Sequence, residues 1–546
     1  MKTSIPILLT LSILFNFSIN SFSQKNPLQK GLDAITKESV KAQLEFLSSD
    51  WMEGRATGSR GEFLAADYLA SMLIYNSIEP AGDQEWTKPT RAERWNGTRS
   101  EEYTSYFQNI YMIKQLENTS SVSIYSKSHN QWTFFEENVD YSIYGSNSSM
   151  QLNSEIVFVG YGFIDEESGY NDFKGVDVKN KIIVRLSGYP GHKDTNSLGY
   201  KKFHREERYF SYYLSRKKDK IAEEKGAVAI IEIYDDLNPK DWFEEQKFKL
   251  TNDNERPQSP NYKHRLELPS DDLVVNPIKI FPTKKLVNTI LKSQDINPDY
   301  FEKTTAYSLR PSSKILKGAN LKIDYQVKTE LLQARNVIGM IEGENKDEIV
   351  VIGAHYDHLG AANGFVWNGA DYNASGTIGV WMLAKAFKAA GIKPKKTLVF
   401  AAWTGEEKGL LGSKYFADHP YGGKIDNIKL YLNFDMISKD SEDDTLKNQA
   451  RMTYSSSLSE LEELTTKNIG DYSLNLDLSF RSSHNPKGGS DHSSFSAKNI
   501  PIMYFMAGFP IKYHTPKDQT SDINWNKMVD IIKLSYLNLW QIVNDD

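Results

Sequence analysis

The sequence predicts an α/β protein, with a mostly parallel central sheet flanked by helices and a β-rich module inserted into it. Two observations predict the sheet. Residues 350–354 (VVIGA), 396–403 (KTLVFAAW), 429–434 (KLYLNF) and 501–506 (PIMYFM) are short runs rich in Val, Ile, Leu and aromatics. Helix-like segments join them, and strands covered by crossover helices on both faces carry near-continuous apolar runs of this kind. A third observation predicts the insertion. Between residues 111 and 330 the texture changes to short alternating or apolar stretches, such as SEIVFVGYGF and KIIVRLSGYPG, with Gly and Asp turns between them.

Taken in order, residues 1–23 begin Met-Lys, pass through an apolar stretch and end Ser21-Phe22-Ser23, which reads as an export signal. The alternative is a short membrane anchor, but the apolar core falls short of the ~20 residues that a span requires. The mature chain is therefore expected to lack a transmembrane span and to be periplasmic or extracellular. Residues 24–110 form the first part of the main domain. In them, apolar spacing from Thr36 to Gly82 predicts two helices split by the turn-rich Glu53-Gly54-Arg55-Ala56-Thr57-Gly58, and residues 83–102 read as an irregular polar surface loop. In the insertion, 111–330, an amphipathic helix at 205–225 leads into a strand at 227–233, and 235–275 reads as a long loop region. Residues 331–546 return to strand and helix alternation. There a helix over 375–390 stops at Gly391, ahead of Pro394.

Bulk properties narrow the function. A chain of 546 residues with 39% hydrophobic residues is too long for one ordinary core and has ample material for two. Its net charge of -6, from 65 basic and 71 acidic residues, leaves no polybasic tract, so nucleic acid is an unsuitable partner. The absence of cysteine excludes disulfides, thiol catalysis and cysteine metal ligands.

The chemistry-bearing residues stand where the apolar runs end. His355 follows the first run, Glu406 and Glu407 the second and Asp435 the third, while His514 comes shortly after the fourth. Open α/β sheets bind ligands outside the carboxyl ends of their strands. Imidazole and carboxylate are zinc ligands, and a neighbouring glutamate outside the ligand set can act as base toward water that the metal activates. The simplest reading is a zinc hydrolase. Asp357, two residues past His355, is placed to orient its ring. Adjacent glutamates at a helix start also serve as a capping pair, and it is their company at the other strand ends that favours chemistry. Asp518, four residues past His514, is a possible supporting carboxylate, while Asp491 and His492 suit substrate contact or loop structure. His358 and the remaining histidines carry no metal signal of their own.

These motifs resemble the zinc aminopeptidase family whose relatives include glutamate carboxypeptidase and glutaminyl cyclase. The resemblance rests on SSDWMEGRATGSRGEFLAADYLA, HYDHLG, NGADYNASG, WTGEEKGLLGS, NFDMI, GSDHSSF and YHTPKD. The insertion, with VFVGYGF, YNDFKGVDVKNKIIV and EEKGAVAIIEIYD, resembles the protease-associated domain. The resemblance implies a three-layer zinc-exopeptidase-like fold and one or two zinc ions. His355 and Asp435 would hold one ion and Glu407 and His514 the other, with Glu406 as general base. In the family an aspartate three residues before the Ser-Gly pair bridges both ions, and the peptide bond after it is cis. Here that position is Tyr372, and Asp371 lies one residue early. Three outcomes follow: Asp371 swings in as the bridging ligand, one ion binds well and the other weakly, or catalysis is lost. The expected function is an exported zinc-dependent exopeptidase, first of all an aminopeptidase. The alternatives are a mononuclear zinc amidohydrolase or cyclase, and a degenerate peptidase acting as a binding protein.

Overall fold

The computed structural model describes residues 26–127, 130–144, 148–206, 210–234, 265–269, 277–291, 294 and 296–545. The export-signal segment and most of the 235–275 loop region lie outside the described residues. After a short helix, Pro27–Ala34, come α1 (Lys37–Leu47) and α2 (Arg60–Tyr75), each opened by a hydroxyl side chain, Thr36 or Ser59, that accepts from a first-turn amide. The principal strands are β1 (Phe107–Ser126), β2 (Met150–Phe158), β3 (Ile182–Leu186), β4 (Ala229–Ile233), β5 (Ile278–Pro282), β6 (Lys314–Ile341), β7 (Asn345–His355), β8 (Lys396–Trp403), β9 (Ile428–Phe434), β10 (Gln449–Ser455), β11 (Asp477–Ser483) and β12 (Ile502–Met506).

These strands belong to one 16-stranded sheet, in the order β11-β10-β12-β9-β7-β8-β6-β2-β3-β4-β5, with β1 pairing β6 off this path. The pairs β12–β9, β9–β7 and β7–β8 are parallel, and β6 closes this part antiparallel to β8. The four apolar runs of the sequence are therefore adjacent central strands. Side-chain alternation divides the burial between two faces. Leu398, Phe400 and Ala402 of β8 join one apolar cluster, and Val399, Ala401 and Trp403 join another. On the first face lies α3 (Gly376–Ala390), whose Ile378, Val380, Trp381, Leu383 and Phe387 are all buried. A helix apolar on every side must be covered on every side, and the C-terminal helix α4 (Trp525–Asn544) packs over it through Tyr536 against Phe387. Trp381 also donates its indole N–H to the Leu69 carbonyl at 2.9 Å, tying α3 to α2. Helix α3 ends where Gly391 takes a left-handed φ of 73°. The second face is closed by Phe416 and Phe495 stacked around Trp403 and Tyr431. The result is the expected three-layer α/β arrangement.

The insertion is joined to this sheet by hydrogen bonds. β1 and β6 pair antiparallel along nearly their full lengths, and both run through the boundaries placed at 110 and 330. Apolar side chains nevertheless separate into one large cluster for the main domain and another for the insertion. Within the insertion β2, β3, β4 and β5 are parallel neighbours. Every residue of β3 is buried, as suits a strand with both faces covered. Residues 83–102 hold more order than their composition predicts. Gln84–Trp86 pairs with Glu102–Thr104, and Thr90 and Glu93 form a reciprocal cap on the short helix Arg91–Trp95.

Candidate metal centre

His355 is the last residue of β7, Asp435 directly follows β9, and Glu406 and Glu407 sit in the turn after β8. Parallel strands in register bring these ends together. His355 Nε2 stands 3.7 Å from Asp435 Oδ1 and 3.8 Å from Glu406 Oε2. One ligand-type atom from each of the three lies within 4.8 Å of the other two, the one such group among the described residues. All three residues are buried, and His355 Nε2 and Asp435 Oδ1 have no hydrogen-bond partner. Leaving buried polar atoms unpaired is costly unless something else pairs with them, so this donor set suits a cation.

Glu407 points elsewhere. Its Oε1 accepts from His358 Nδ1 at 2.8 Å, and its Oε2 lies 3.3 Å from His514 Nε2. His358, which the sequence did not connect with metal, is thus part of the pocket. It is fully buried, and its Nε2 is unpaired. Burial pushes the Glu406 carboxyl well above its usual range, against the attraction of His355. Burial also pushes Glu407 upward, but the hydrogen bonds from His358 and His514 outweigh it and hold that carboxyl below the usual range. The two neighbouring carboxyls are driven apart, the pattern that separates an acid–base group from a permanent anion.

Asp357 meets the His355 ring through its backbone carbonyl, and its carboxylate has a further task. The near partner of His355 Nδ1 is the Asp357 backbone carbonyl, at 3.2 Å, and the carboxylate stands at 3.6 Å. That carboxylate accepts instead from Thr57 Oγ1 at 2.9 Å and from the backbone amides of Glu406 and Glu407 at 3.1 and 3.4 Å. It fixes the turn that aims both glutamates. Asp518 likewise does not support His514. It accepts from the amides of Asp371 and Tyr372 at 3.0 and 3.1 Å and pairs with buried Lys439, so it anchors the loop before α3.

Asp371 does not take the bridging place. Its Oδ1 accepts from the Ser438 amide at 3.0 Å and the Ser438 hydroxyl at 2.7 Å, which fastens the loop to the segment after Asp435. Tyr372 takes that place instead, and the Tyr372–Asn373 peptide is cis. Its hydroxyl donates to Glu406 Oε2 at 3.0 Å. Its ring lies 4.8 Å from the ring of His355 and 4.8 Å from that of His514.

Asp491 and His492 begin a short helix beside this group. Asp491 is fully buried, and burial pushes its carboxyl up to about 7. His492 stacks on Tyr504 at 4.6 Å, and burial lowers it to about 4. The N-terminal motif acts from far along the chain. Buried Arg55 donates to the carbonyls of Leu47, Tyr356 and Asn368, each at 2.8 Å, and Glu62 accepts from the hydroxyls of Tyr356 and Thr404. A side chain at Gly54 would meet the Gly360 carbonyl at 2.2 Å, so only glycine lets this turn pack under the His355 loop.

Comparison with known proteins agrees with this geometry. Residues 336–537 match Peptidase family M28. Leucine aminopeptidase 2 of Trichophyton equinum is 34% identical over 173 residues, 30% of this chain and 32% of that protein. Leupeptin-inactivating enzyme 1 of Streptomyces exfoliatus is 30% identical over 179 residues, 32% of this chain and 36% of that protein. The match thus spans about a third of the length of these curated relatives. Among solved structures, an aminopeptidase from Aneurinibacillus sp. strain AM-1 shares the fold with a TM-score of 0.52 and 17% identity, over 95% of this chain and 97% of that one.

Proposed function

With residues 336–537 belonging to peptidase family M28, we propose that this chain is an exported zinc-dependent aminopeptidase. The observation that carries the proposal is the buried convergence of His355, Glu406 and Asp435, with Nε2 and Oδ1 unpaired. Imidazole and carboxylates without a thiolate match a zinc donor set. On the family resemblance His355 and Asp435 would hold the ion. When bound, it supplies Lewis-acid polarisation of a scissile carbonyl and of water. The chain's own residues supply the proton transfers. Glu406 Oε2 accepts a proton from attacking water and returns it to the leaving amine, and burial matches the carboxyl to that task by raising its proton affinity. Asp357 holds the Glu406 amide, and Tyr372 holds the Glu406 carboxylate. Peptides are the substrate, and release from the N-terminus is favoured by the aminopeptidase names of the relatives. Export rests on the leader-like residues 1–23, and N-terminal sequencing of the secreted chain tests it.

The direct test of activity is release of N-terminal residues from short peptides by purified protein before and after chelation. Release that stops with chelator and returns with zinc supports the proposal. No release, or release indifferent to chelator, would sink it. A single-ion amidohydrolase or cyclase is the second reading, favoured by one observation, the phenol of Tyr372 where the family places a bridging carboxylate.

A further inference from the structure

Resting on that metal-dependent reading, we infer that the pocket holds one tightly bound divalent cation per chain, at His355 and Asp435, and that Tyr372 replaces the second ion's bridging ligand with a dividing wall.

The two sides of Tyr372 differ in the donors they offer. On one side three metal-type donors converge within 4.8 Å, and two of their atoms lack partners. On the other, His514 Nε2 and His358 Nε2 are unpaired as well, but with Glu407 Oε2 3.3 Å from His514 no group of three donors converges there among the described residues. His358 spends its Nδ1 on Glu407 Oε1. Protein zinc sites use three or four protein ligands, so the two-donor His514 side is weak, whereas the His355 side reaches three with Glu406 beside His355 and Asp435. The aromatic ring of Tyr372 contacts the imidazoles of both sides, at 4.8 Å each, and so occupies the space between them. A bridging carboxylate would bring a negative charge that two nearby divalent ions need to offset their repulsion. A neutral phenol already donating to Glu406 does not bring one. Asp371 does not compensate from its observed position: Ser438 holds its Oδ1, and its unpaired Oδ2 is not among the convergent donors.

The test is metal counting on the mature chain, purified without chelator, equilibrated with excess zinc and desalted, by elemental analysis and native mass spectrometry. One zinc per chain is expected. His355→Ala should lose it and His514→Ala should keep it. Tyr372→Asp, which restores the carboxylate, should rise to two, and Tyr372→Phe should stay at one. Two equally retained ions in the unmodified chain would overturn the inference while leaving the metal-dependent reading intact. No retained ion would overturn both. A folded Tyr372→Asp chain that stays at one ion would also overturn it, because Tyr372 would then not be the reason for the missing site. If that variant does not fold, the counts on the unmodified chain and Tyr372→Phe still decide.

Discussion

On the His355 side of Tyr372 three buried donors converge within 4.8 Å, whereas on the His514 side two imidazole nitrogens are also unpaired but the Glu407 carboxylate already holds a hydrogen bond from His358 and no group of three forms among the described residues. Both sides are built from imidazole and carboxylate at strand ends, and the family resemblance assigns an ion to each. What separates them is the residue at 372. The lesson is that residue types alone do not make a metal site. The deciding quantity is how many buried donors converge on one point.

Four substitutions or conditions break or sharpen this contrast, in falling order of effect. Glu406→Gln keeps the side-chain shape and removes the proton acceptor, so kcat should drop roughly 10²–10⁴-fold with the fold unchanged. Steady-state kinetics beside a circular dichroism spectrum check this, and near-native turnover would remove Glu406 from the mechanism. Acid should come next, through His492 beside the His355 side. Its folded value of about 4 lies below the ordinary 6.5, because burial disfavours the charged ring. The unfolded chain then binds the extra proton, so this contribution is fully present above pH 6.5 and is lost as pH falls toward 4. The loss is on the order of 3 kcal/mol, and it should be largely absent from His492→Gln in melting curves taken across that window. Equal acid sensitivity in both chains would contradict it.

Asp357→Asn should have a middle effect, about 10–100-fold in kcat/KM, because it weakens the acceptor that holds the amides of both Glu406 and Glu407. A loss in kinetics with unchanged metal affinity would show that the turn serves only the base. His358→Gln should be the mildest, at most about tenfold, since it disturbs Glu407 and leaves the three convergent donors in place. A larger loss, accompanied by loss of bound zinc, would move the working site to the wrong side of Tyr372.

Much of this was legible in the sequence because burial leaves a local signature. The runs before His355, Glu406 and Asp435 are apolar on both faces, and their ends meet because parallel strands align their carboxyl ends. The tyrosine at position 372 was equally visible. Hydrogen-bond direction was not. His355-Tyr356-Asp357-His358 reads as a ligand with an adjacent carboxylate, yet only the turn geometry sends Asp357 to the amides of the next strand end and His358 to Glu407. Arg55 and Glu62 stood in a motif that carried the resemblance, but their roles were not legible, since the partners Tyr356 supplies lie some three hundred residues away along the chain. The insertion is β-rich as expected, but the parallel pairing of its inner strands was not legible. Its four parallel strands are short, and a short buried run looks the same in a parallel core as in a β-rich module.

The most direct test is a zinc-edge anomalous difference map from crystals of the chain purified without chelator. The expected result is a single strong peak within bonding distance of His355 Nε2 and Asp435 Oδ1, with none between Glu407 and His514. A map with no peak beside His355, or with peaks of equal height on both sides of Tyr372, would contradict this assignment.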